Sequence, residues 1–266
     1  MLTKLLKYEC RASGRQILPL CVVMVGWSVI ARLLLMLRVS LPWPQIEQLM
    51  SGLLITGCAL ILFGGSCAAW VFLLLRYYRG LYGGEGYLVH TLPTSATNLL
   101  WAKLLAALLW ELCVGLSLIL SLAILGAGTQ VMKGFLIFFS LVWRNANELF
   151  ASATLVTLIF ELLVLIPLTI VSGILLAYAA ISLGQRMREN RVLGAVAAYI
   201  ALSFGINMVF GVANTVVGVV SAGLSDFSPE LSMVVLIGAQ VVLIAAQCVG
   251  CFLFCRWSLS KKLELA

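Results

Sequence analysis

Three ionisable side chains stand in stretches that are otherwise apolar: Arg32, Glu111 and Glu161. A charge at the centre of a membrane helix costs about 2.5–3.5 kcal/mol on insertion scales, so such groups avoid lipid and face protein or a water-filled path. The chemistry open to them is pairing, proton exchange or contact with a transported solute. Counted from the predicted helix ends at 1.5 Å per residue, Arg32 and Glu161 lie about 8 and 12 Å deep in the same third of the layer, which predicts a pair. Glu111 lies nearer mid-depth, with no partner at its level. Cys248, Cys251 and Cys255 share one helical face. No histidine or carboxylate stands near them, so they are expected to pack as small hydrophobes and not to hold a metal. The predicted external loops hold no cysteine, and no disulfide framework is implied. The chain has a single histidine, His90. It shows no Ser-His-Asp arrangement, no carboxylate dyad and no G-x-x-x-x-G-K-[ST] phosphate loop. No catalytic residue, metal or cofactor is assigned.

The elements that position these residues follow from composition. Of 266 residues, 63% are hydrophobic and 10% charged, against about half and a quarter in a globular domain. The expected fold is all-α, a polytopic membrane protein with little outside the membrane. Six segments reach the roughly 20 apolar residues that a span needs: 17–37, 53–76, 102–126, 153–182, 193–220 and 232–255. The apolar run 131–143 is too short and is expected at the interface or beneath a loop. Residues 1–16 are too long and too charged for a signal n-region, so the first span reads as uncleaved. The net charge is +7, and in a membrane chain its first explanation is cytoplasmic loop charge.

Orientation follows the basic residues. With the N-terminus inside, cytoplasmic segments hold Lys4, Lys7, Arg11, Arg15, Arg76, Arg79, Lys103, Arg186, Arg188, Arg191, Arg256, Lys261 and Lys262. External ones hold only Arg38, Lys133 and Arg144. Basic termini at both ends require an even number of crossings, so both termini, including the tail 256–266, are expected in the cytoplasm. Trp101 and Trp257 fall at predicted inner boundaries, and Trp43 and Trp143 at outer ones.

Two segments leave the membrane with character. At 100° per residue Lys4, Lys7, Arg11 and Arg15 fall on one face of residues 1–16, opposite Leu2, Leu5 and Leu6. That predicts an interfacial helix meeting lipid phosphates, although Glu9 sits on its apolar side. The loop 79–95 is the longest inside connection. Gly80, Gly83, Gly84 and Gly86 permit turns, and Tyr87, Leu88 and Leu92 suit a short helix stopped at Pro93. Thr94 or Ser95 is placed to cap the next helix. Pro167 predicts a kink in the fourth span. Gly211, Gly218 and Ala222 put small residues on one side of the fifth, suiting close packing.

The stretch Leu81-Tyr-Gly-Gly-Glu-Gly-Tyr-Leu-Val-His-Thr-Leu-Pro-Thr-Ser95, followed by Leu100-Trp-Ala-Lys103, resembles the pattern L-F-G-D-E-G-Y-L-T-x-T-L-P-V-S … K-L of bacterial ABC transporter permeases of the exporter type, the type-two permease superfamily. Lys7-Tyr-Glu-Cys-Arg-Ala-Ser-Gly-Arg15 with Leu18-Pro19 is similar to their amphipathic start. Tyr178 through Gln185, ending Ser-Leu-Gly-Gln, followed by Arg191-Val-Leu-Gly194, looks like their loop between helices four and five, and Lys261-Lys-Leu-Glu-Leu265 resembles their C-terminal ending. Gly84 stands where Asp is common, and His90 where a small polar residue is.

The resemblance implies a subunit of the bacterial plasma membrane that pairs as a homo- or heterodimer and binds a separate ATP-binding subunit, which holds ATP and Mg. The loop between helices two and three would carry the docking helix, assigning coupling to Gly84, Glu85, Tyr87, Leu88, His90, Thr91, Leu92 and Pro93. The chain itself is then no enzyme. Two alternatives remain: an ion-coupled secondary transporter using Glu111 or Glu161, and a structural membrane anchor. Inverted repeats, frequent in secondary transporters, are not evident between the two halves.

Overall fold

The computed structural model describes residues 2–36, 44–82, 96–144, 153–185, 191–225 and 229–261. Those residues form helices and no strand: α1 (Leu2–Met36), α2 (Pro44–Tyr82), α3 (Ala96–Gly126), α4 (Gln130–Arg144), α5 (Ala153–Gly184), α6 (Arg191–Ser225) and α7 (Pro229–Lys261). Six of them, all but α4, are long and apolar enough to cross a membrane, and the chain is a multi-pass membrane protein. Helices are what such a sequence must form, because lipid offers backbone N–H and C=O groups no partner. Several hydroxyls meet the same constraint by bonding to their own helices. Ser28 donates to the Val25 carbonyl at 2.7 Å, Ser117 to Val114 at 2.7 Å and Ser172 to Thr169 at 2.8 Å.

The described chain divides into two compact units, one of Thr3–Arg76 with Leu105–Leu141, the other of Tyr77–Leu104 with Val142–Ala266. In the first, the expected boundary between an interfacial helix and a first span falls inside a single helix. α1 runs unbroken for 35 residues through Pro19, about 52 Å at 1.5 Å per residue. Lys4, Lys7, Arg11 and Arg15 are all exposed along one side of it. The opposite side is buried, with Ser13, Ile17 and Met24 each under 5% exposed. Gly14 lies against the Trp110 ring, which a Cβ at that position would meet at 2.7 Å. Gly65 admits the Met24 side chain in the same way.

Glu9, the residue out of place on the apolar side, accepts from Arg76 Nε at 2.9 Å. Both side chains are largely buried, at 25% and 13% exposed. The pair ties α1 to the last turns of α2. Removing Arg76 deprives the largely buried Glu9 carboxylate of this cation, so Arg76→Ala is expected to destabilise this unit by about 1–3 kcal/mol. The double exchange Glu9→Arg with Arg76→Glu should recover at least half of that loss in a denaturant titration. An exchange no better than the single variants would deny the pair its role.

A tight turn joins α3 to α4. Gly128 adopts a left-handed φ of 77°, a region open to glycine at no steric cost. Thr129 then caps α4, its hydroxyl oxygen accepting from the Met132 N–H at 3.4 Å. α4 spans 15 residues, too few to cross the apolar layer.

In the second unit α5, α6 and α7 pack on one another. α5 contains Pro167 and continues past it to Gly184. Cys248 directs its thiol to the Leu168 carbonyl at 3.8 Å, and Cys255 is fully buried. At the corner between α5 and α6, Gly184 touches the backbone of Ala195.

Candidate functional site

The assigned loop residues Gly84, Glu85, Tyr87, Leu88, His90, Thr91, Leu92 and Pro93 lie outside the described residues. The helix ends that hold the loop do not. Where α2 stops and α3 begins, the second unit has its densest core. Tyr77, Leu81, Leu100 and Ala102 are each at most 1% exposed, and every residue from Ile174 to Ser182 is below 10%. Elsewhere the spanning helices are mostly exposed, so burial concentrates where the loop leaves and returns.

Polar aromatic side chains organise that core. The Tyr77 and Tyr178 rings stack with centroids 3.6 Å apart and planes 8° from parallel, while Tyr82 meets Tyr77 edge-on at 6.4 Å. Tyr82 donates its hydroxyl to Ser182 Oγ at 3.0 Å, and Ser182 donates to the Tyr178 carbonyl at 2.9 Å. The Tyr178 hydroxyl reaches the Lys103 carbonyl at 3.4 Å. Trp101 adds a contact to Phe252 on α7 at 5.1 Å. The end of α2 and the start of α3 are thereby both fastened to α5, and α3 also to α7.

Lys103, counted by sequence among the cytoplasmic basic residues at the start of the third span, is only 4% exposed. Its Nζ lies beside Gly80, where a Cβ would approach it to 2.5 Å. Gly80, expected in a turn, instead lies in the last turn of α2, and its bare backbone admits the ammonium. A helix C-terminus carries unsatisfied carbonyls and partial negative charge, so a cation is stabilised there. The signal was a lysine just inside the start of a span, where charge demands a partner. The cluster links the end of α2 and the start of α3 to α5.

Of the intramembrane candidates, Arg32 and Glu111 belong to the first unit and Glu161 to the second, and each has its own setting within its unit. A Cβ at Gly128 would meet Arg32 Nη2 at 2.9 Å, so the guanidinium sits at the turn after α3. Glu161 lies against α7, its Oε1 3.0 Å from where a Cβ of Gly238 would stand. Glu111, on α3 in the first unit, is half-buried. Arg32 Nε, Glu111 Oε1 and Glu161 Oε2 are buried without a hydrogen-bond partner among the described residues. Neither the family models, nor the curated proteins, nor the solved structures contain a match to this chain.

Proposed function

We propose that the chain is the membrane-spanning permease subunit of an ABC exporter, working in a bacterial plasma membrane with both termini in the cytoplasm. A separate subunit would bind ATP and Mg and dock on the loop around Gly84–Pro93. The observation that carries this reading is the convergence of a sequence motif with a packing pattern. The stretch in loop 79–95 resembles the docking loop of exporter-type permeases, and both flanks of that loop enter the most buried part of the second unit. A push on an unanchored loop would dissipate in the loop. Here the Tyr77–Tyr178 stack and the Lys103 seat carry it into α5.

Docking is read with Tyr87→Ala combined with Leu92→Ala, substitutions outside the membrane that leave the buried cluster intact. Affinity for the ATPase subunit, captured from the native membrane with the tagged chain, is expected to fall at least tenfold, and export with it. Retained ATPase capture together with retained export would overturn the coupling assignment.

One observation favours a second reading, an ion-coupled transporter: the partnerless buried oxygens of Glu111 and Glu161. In proteoliposomes that reading requires transport driven by an imposed proton gradient without ATP, abolished by Glu111→Gln or Glu161→Gln.

A further inference from the structure

Two carboxamides join α6 to α7 within the apolar layer: Asn214 Oδ1 on α6 accepts from Gln240 Nε2 on α7. The helices are consecutive spans and run antiparallel. Seven residues further along each from this pair, Asn207 on α6 and Gln247 on α7 therefore stand in the same register. Seven residues are nearly two full turns, which returns both to the sides that carry the first pair. Among the described residues no bond joins this second pair. Asn207 Nδ2 donates instead to the Ser203 carbonyl of its own helix at 2.8 Å. The rung is made at one level and open at the next.

At the open level α6 and α7 leave a groove of about 340 Å³ between them. It lies at the middle of both spans, Arg191–Gly223 and Ser232–Leu259. Val209 and Phe210 line it from α6, Leu243 and Ala246 from α7, and Gln247 borders it. Gly205 and Gly250 keep it wide, since a Cβ at either would meet no atom within 4 Å. Its walls are almost wholly apolar. One turn from the lining residues stand Val212 on α6 and Val242 and Val249 on α7, each more than half exposed. The groove is thus recessed between apolar ridges that face lipid.

We propose that this groove binds one acyl chain of a bilayer phospholipid, lodged between α6 and α7 at the level of Asn207 and Gln247. Chemistry and shape both select that occupant. The walls offer almost no hydrogen-bonding surface, so water and polar solutes lose by entering. They gain dispersion contacts from any hydrocarbon that reaches them. Another protein helix, about 10 Å across with its side chains, would rest on the ridges and leave the glycine-lined floor unfilled. A single acyl chain is narrow enough to reach the floor, and the surrounding bilayer supplies it in excess. The open rung agrees: closing α6 on α7 here would gain a carboxamide pair, and the contacts of the bound chain stand in its place. The inference rests on the membrane fold alone and is independent of the transport reading.

A phospholipid carrying an aryl diazirine near the end of one acyl chain tests it, with the full chain in lipid nanodiscs. After illumination, mass spectrometry counts adducts on two phenylalanines near mid-span, Phe210 in the groove and Phe63 on α2. Phe63 is 71% exposed and Phe210 only partly so, so simple contact with the surrounding lipid labels Phe63 more. A chain held in the groove reverses that order, and Phe210 is expected to carry at least tenfold more adduct. Gly205→Leu with Gly250→Leu fills the groove where no atom obstructs it, so helical circular dichroism and melting temperature should be kept. Labelling of that variant at Phe210 should fall at least tenfold while labelling at Phe63 stays. Phe63 labelled as strongly as Phe210 would overturn the site, as would Phe210 labelling that survives the filling. The wild-type comparison needs no variant and decides the matter even if the leucine chain fails to fold. Neither measurement involves the ATPase, so failure here is distinct from a failure of docking at the loop.

Discussion

Replacing Gly184 by alanine is expected to lower stability by about 3 kcal/mol or more, the largest effect of any single methyl group in the described chain. The new Cβ would overlap the Ala195 nitrogen and lie 2.5 Å from its Cα and 2.8 Å from its Cβ. Overpacking in a core commonly costs about 1–3 kcal/mol, because side chains rotate and backbones shift slightly to make room. Here the obstruction is mainly backbone, which cannot rotate away. The corner between α5 and α6 must open, at the very end of the buried run Ile174–Ser182. Gly205→Ala is the control. A Cβ there meets nothing within 4 Å, and alanine is favoured over glycine in a helix by about 1 kcal/mol. Denaturation of both variants in one detergent should therefore move in opposite directions. A Gly184→Ala protein as stable as wild type would show that the corner is not closed as described.

Tyr178→Ala is the second. Tyr178 is 2% exposed and covers the face of Tyr77, itself 1% exposed, at 3.6 Å. Deleting a buried aromatic ring from a core costs about 3–5 kcal/mol in soluble proteins. Part of that figure is transfer from water, which a membrane protein largely forgoes, so about 2–4 kcal/mol is expected here from lost packing. Tyr178→Phe keeps the stack and loses only a long hydrogen bond of 3.4 Å, and should cost no more than about 1 kcal/mol. The functional readout separates the cluster from a merely structural core. Under the transport reading, Tyr178→Ala below its melting temperature should bind the ATPase normally yet export at least tenfold more slowly. Export at the wild-type rate would leave the stack with stability alone.

Some of this was legible in the residues. The six spans follow from runs of apolar residues, and the helical period put Lys4, Lys7, Arg11 and Arg15 on one side, where they are exposed. Glu9 was legible as an anomaly, an acid among leucines, but its answer, Arg76, stands 67 residues away. Lys103 was visible but its seat was not, since a lysine near a span end looks the same whether it reaches solvent or settles at Gly80. The glycines were the least readable of all. Gly184, Gly205 and Gly218 all occur in apolar helices, yet one touches a neighbouring backbone and the other two touch nothing.

By itself, then, the sequence determined that this is a six-span helical membrane protein and where its unusual loop lies, because lipid makes helix and span length a matter of local composition. Only the tertiary structure decided that Tyr77, Tyr82, Lys103 and Tyr178 form one cluster and that Gly184 is a contact. Periodicity assigns a residue to a side of its helix. Which side meets another helix is settled by packing between residues far apart in the chain, and no local pattern encodes that.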